Sequence, residues 1–133
     1  MMITRTKAIV SLLLVFCLSF TVLISSVAQT DTVTIAAGES KRGKSSEVKA
    51  DAQAEAWVKI TGLSSGSSIK CYIWRLSAAA QVSGNPILNG LGEFTINYNN
   101  TGNKKKGDSY RAVFGKTTQS VGTAVNVSFE FWP

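Results

Sequence analysis

Residues 47–63 read EVKADAQAEAWVKITGL, and two rules of sequence reading disagree over them. Ala, Glu, Lys and Gln are good helix formers, so summed propensity favours a helix. The pattern favours a strand. Every even position from Val48 through Ala50, Ala52, Ala54, Ala56 and Val58 to Ile60 is apolar, while Glu47, Lys49, Asp51, Gln53, Glu55, Lys59 and Thr61 are polar and Trp57 is the exception. On a helix the even residues scatter around every side; on a strand they form one face. Propensity is the weaker guide where the two conflict, so residues 47–61 are expected to form one long strand with a buried even face.

The same period recurs on both sides. Val33, Ile35 and Ala37 alternate in a first strand ended by Gly38, and GESKRGKSS (38–46) has the composition of a loop. After the turn LSSGSS, residues 68–82 place Ile69, Cys71 and Ile73 on one face and Tyr72, Trp74 and Leu76 on the other, the two-sided character of a central strand. GEFTINYNN (92–100) puts Phe94, Ile96 and Tyr98 on one face. SYRAVFGKT (109–117) does the same with Tyr110, Ala112 and Phe114, and the two are expected to pair as a hairpin with NNTGNKKKGD as its tip. In AVNVSFEFWP (124–133), Val125, Val127, Phe129 and Phe131 oppose Asn126, Ser128 and Glu130. The expected fold is therefore all-β: a small antiparallel β-sandwich, or a barrel, of about six to eight strands.

The N-terminus is of another kind. Arg5 and Lys7 precede AIVSLLLVFCLSFTVLI (8–24), which lacks charge, and Ser26-Val27-Ala28 follows before Gln29. A charged n-region, an apolar h-region and small residues two apart describe a secretory signal peptide. The apolar run is shorter than the roughly 20 residues of a membrane span and is interrupted by Ser11, Ser19 and Thr21, so stable transmembrane insertion is not expected. Cleavage is placed after Ala28, which leaves residues 29–133 as one secreted, extracellular domain. Cys17 leaves with the signal. Cys71 then has no intrachain disulfide partner and, between Ile69 and Ile73, is read as a small buried hydrophobe.

The chain has no histidine. Ser/His and Cys/His nucleophilic machinery and the commonest zinc ligand are therefore excluded. Its eight acidic residues fall on polar strand faces or near turns and read as solvated charges, and the glycines occur singly, with no phosphate-cradling motif. A non-enzymatic protein without cofactor or metal is expected. The formal net charge of +6 is unevenly placed: Lys41, Arg42 and Lys44 lie in one loop and Lys104, Lys105 and Lys106 in another. Such clusters suit an anionic partner, namely a cell-wall polymer such as teichoic acid, a lipid headgroup or the pyrophosphate of a lipid-linked precursor. Secretion and the lack of a recognised binding motif argue against nucleic acid. Solvated loops kept charged for solubility account for the same pattern equally well. Trp57, the one large apolar residue on a polar face, is either a further binding residue or half of a cross-strand aromatic pair.

DSYRAVFGKTTQSVG (108–122) followed by VSFEFW (127–132) resembles the C-terminal half of the lactococcin-like secreted bacteriocins. The resemblance implies a small Sec-exported β-sandwich that binds a cell-wall precursor on competing Gram-positive cells. That family's N-terminal portion, rich in Gly, His, Tyr and Trp, has no counterpart here, and no functional residue is carried over from it. The expectation is a secreted binding protein or bacteriocin-like effector that contacts an anionic envelope component. The alternative is an extracellular structural, matrix or adhesion protein that works through sheet edges and exposed aromatics.

Overall fold

A computed structural model describes residues 30–43, 46–64, 68–117 and 122–133, with the side chain of Arg42 excepted. The expected signal peptide (1–28) and Lys44 lie outside the described residues.

The fold is all-β and consists of two antiparallel sheets packed face to face. The first takes its centre from the cleanest alternation in the chain. Strand β10 (Val125–Trp132) lies between β1 (Thr30–Ile35) and β4 (Ala56–Leu63), and β8 (Gly92–Ile96) adds to the far side of β4. The second sheet is built on β5 (Ile69–Arg75) and β9 (Ser109–Lys116), which pair from Ile69↔Lys116 to Arg75↔Tyr110. Its flanks are pieces: β2 (Lys41–Gly43) and β3 (Glu47–Val48) both pair with β9, and β6 (Ala80–Gln81) and β7 (Ile87–Leu88) both pair with β5.

The inward residues of both sheets form one buried cluster. It includes Ile35, Val58, Val125 and Phe129 from the first sheet and Ile69, Ile73, Ala112 and Phe114 from the second. Phe114 meets Phe129 across the interface with ring centroids 4.6 Å apart. Cys71 is fully buried among them, and burial pushes its thiol pKa well above the ordinary range.

The opening stretch behaves as two segments, not one. Ala56, Val58 and Ile60 are buried and belong to β4, as the alternation requires. Further upstream the pattern fails: Val48 is 57% exposed, Ala50 and Ala54 are exposed, and Lys49 is 1% exposed. Residues 49–55 form a loop that carries the chain from one sheet to the other. The Asp51 carboxylate accepts from the N–H of Gln53 at 2.8 Å, a local turn that competes with strand pairing. Alanine adds little buried area to oppose it.

The expected hairpin of residues 92–99 with 109–117 does not form. β8 pairs with β4 in the first sheet, whereas β9 pairs with β5 in the second. The connection between them crosses the end of the sandwich through a 3₁₀ turn at Thr101–Asn103, capped by the Asn100 side chain. Two further boundaries differ. Lys41–Gly43, read as loop, is an edge strand, and the 68–82 strand reverses at residues 76–79, with Leu76 37% exposed. Among the described residues no helix is long and apolar enough to cross a membrane.

Candidate functional site

Register decides which side chains share a surface. On the outer face of the first sheet the pairs are polar and mutually satisfied: Thr34 donates to Asn126 at 2.8 Å, Thr32 and Ser128 are 3.2 Å apart, and Lys59 lies 3.9 Å from Glu130. Lys59 also pairs in register with Glu93. Positive charge on this face has acidic neighbours.

The outer face of the second sheet differs. Lys41 pairs with Gly115, which pairs with Lys70; Val113 pairs with Tyr72, and Arg111 with Trp74. Strand alternation turns Lys41, Lys70, Arg111, Tyr72 and Trp74 away from the core that Cys71, Ile73, Ala112 and Phe114 occupy on the other side. No acidic residue stands in register among them. Gly43 and Gly115 keep the face open, and the Arg111 side chain lies across Gly43 so closely that a Cβ there would sit 2.7 Å from its Cδ. Lys41 Nζ stands 5.8 Å from the centroid of the Tyr72 ring, a cation–π distance. Arg111 Nε is buried with no hydrogen-bond partner among the described residues.

The second lysine cluster has another fate. Lys104 is ion-paired to Glu55 and only 13% of its side chain is exposed. Lys105 and Lys106 are exposed, and the backbone N–H of Lys105 donates to the Tyr110 hydroxyl. This loop precedes Ser109 at the start of β9, while Lys41 stands opposite Gly115 near its end. About six residues at ~3.3 Å each separate the two clusters by roughly 20 Å. They do not form one patch. Arg42 lies within β2, and Lys44 is outside the described residues.

Trp57 has a partner that alternation alone did not reveal. It pairs in register with Trp132 and stacks on it, with centroids 3.6 Å apart and planes 11° from parallel. The cross-strand pair accounts for an aromatic residue on a polar face. Beside it, Val48, Ala50, Asp51, Ala54, Glu55 and Pro133 complete a groove of about 160 Å³. Glu55 is held tightly: one carboxylate oxygen takes Lys104 and the other accepts from the N–H of Tyr98 at 2.8 Å. Burial disfavours its charge, but these hydrogen bonds and the nearby cations outweigh that, and its pKa falls below the ordinary value.

Lys70, Arg111 and Trp132 are the residues that sequence reading did not single out. Each lies on the polar side of an alternating strand, where a single residue gives no signal until its cross-strand neighbours are known. Among the described residues no cluster of three or more His, Cys, Asp or Glu side chains is placed to hold a metal ion. The chain matches no protein-family model, no curated protein and no solved structure, so its own residues carry the functional reading.

Proposed function

We propose that the chain is a secreted, non-enzymatic binding protein that contacts an anionic polymer of the bacterial envelope through the outer face of its second sheet. One observation carries this reading: Lys41, Lys70 and Arg111 share that face with Tyr72 and Trp74, and no acidic residue stands in register among them. An open sheet face of this kind suits an extended, repeating partner better than a compact ligand. Cations placed on three neighbouring strands, β2, β9 and β5, meet successive anionic groups, and the aromatic rings supply area that is not screened by salt. The resemblance of residues 108–122 and 127–132 to lactococcin-like bacteriocins points to the same compartment and the same kind of target.

The alternative, assembly through sheet edges, would have to use β1 or β8, the edge strands of the first sheet. The flanks of the second sheet are strands of two or three residues, and short, broken edges discourage strand addition.

Co-sedimentation with purified Gram-positive cell walls tests the proposal. Binding is expected to weaken steeply between low and physiological ionic strength and to disappear when teichoic acids are stripped from the walls. Binding that survives both treatments overturns it. So does binding only to anionic lipid vesicles.

A further inference from the structure

The groove beside the tryptophan pair lies where the 49–55 loop passes between the sheets, and it has a different chemistry. It is bounded by Trp57 and Trp132, by the exposed Val48 and by Pro133 on its apolar side. Asp51 and Glu55 stand on its polar side. Its volume of about 160 Å³ is roughly half the ~300 Å³ at which pockets for drug-sized molecules begin, which suits one ring-sized ligand.

Two ligand classes combine aromatic surface with carboxylates: organic cations, which sit over the ring face, and sugars, whose C–H faces stack on the ring while their hydroxyls donate to acceptors. Local charge separates the two. Glu55 is already neutralised by its ion pair with Lys104, and the buried ammonium of Lys49 donates to the carbonyl of Ala54, which lines the groove, and is attracted by both Asp51 and Glu55. Among the side chains, two carboxylates are thus set against two ammonium groups, and these bring hydrogen-bond acceptors to the groove without net charge. A cation gains little there. A neutral ring rich in hydroxyls gains stacking area and acceptors.

We infer that this groove is a saccharide subsite, which takes one neutral pyranose ring against the Trp57–Trp132 pair with Asp51 as a hydroxyl acceptor. It is separate from the cationic face, and each site stands or falls without the other.

Saturation-transfer NMR on the full secreted domain, with glucose, N-acetylglucosamine and their short β-linked oligomers as probes, tests the assignment. At least one saccharide is expected to give saturable transfer with about millimolar affinity, unchanged by added salt because the ligand is neutral. Trp132→Ala is expected to abolish it. Asp51→Ala, which also removes the acceptor of the Gln53 N–H in the loop, is expected to weaken it about tenfold with the domain still folded by circular dichroism. Lys70→Glu is expected to leave it intact, which keeps this outcome distinct from that of the cationic face. Transfer from none of the saccharides, from tetramethylammonium in their place, or transfer unchanged in both Asp51→Ala and Trp132→Ala overturns the inference.

Discussion

Lys49 Nζ donates to the carbonyl oxygen of Ala54 at 2.8 Å, across a loop that its own burial closes. The same residue pairs through its backbone with the crossing connection: its N–H reaches the Asp108 carbonyl and its carbonyl receives the Gly107 N–H, both at 2.9 Å. The ammonium also lies 4.9 Å from the centroid of the Tyr98 ring. A lysine that breaks the alternation is thereby the tie between two segments that pass over the same end of the sandwich.

Lys49→Met keeps the aliphatic stem and removes the donor, leaving the Ala54 carbonyl without this partner and the Tyr98 ring without its cation. Denaturant unfolding is expected to show a loss of about 1–3 kcal/mol. Ala52→Asp and Ala54→Asp are expected to change stability by no more than about 0.5 kcal/mol, because their loop is at the surface. Val58→Asp, in contrast, places an unpaired charge in the core and is expected to prevent folding.

This contrast marks how far the sequence could be read. The period of two found the strands from Ala56, Ile69, Tyr110 and Val125 onward, because inward residues at those positions are large enough for burial to decide the conformation. It failed at Ala50, Ala52 and Ala54, where the alternating apolar residues are too small to outweigh a local Asp51 turn and an internal lysine tie. Strand partners were harder still. β8 and β9 are neighbours in sequence with matching patterns, and nothing local records that they belong to different sheets. The cationic face and the Trp57–Trp132 pair both depend on such long-range register. Lys41 was legible as part of a cluster, but Lys70 and Arg111 were not.

Glu55 predicts the acid limit of stability. Its pKa in the folded protein lies below the ordinary value of 4.5, so folding favours the charged form and the stabilisation is fully present above 4.5. As the pH falls through the lowered folded-state value, the proton breaks the contacts with Lys104 and Tyr98, and that contribution is lost. Thermal melts of Glu55→Gln are expected to lie below those of the parent protein at neutral pH and to converge toward them under acid. A constant difference at all pH values would contradict the assignment.

Lys49 acts at the opposite end of the scale. Burial lowers its pKa from 10.5, against the pull of Asp51 and Glu55, so the unfolded chain holds the proton more tightly than the folded one. Stability is therefore expected to rise with pH between the lowered value and 10.5, and Lys49→Met is expected to remove that rise.

Cys71, completely buried with its thiol pKa raised by desolvation, is expected to resist a thiol reagent in the native domain and to react rapidly in denaturant. Fast labelling under native conditions would place it elsewhere.

In the proposed function, the outer face of the second sheet, and not the Lys104–Lys106 loop, carries anion recognition. Affinity for teichoic-acid-bearing cell walls, compared between Lys41→Glu/Lys70→Glu and Lys105→Glu/Lys106→Glu, separates the two locations. Both pairs reverse the same number of exposed or half-exposed charges, so net charge alone predicts equal effects. The sheet-face pair is expected to weaken binding at least about tenfold more than the loop pair, with both variants folded by circular dichroism. Equal losses, or a greater loss from the loop pair, would contradict it.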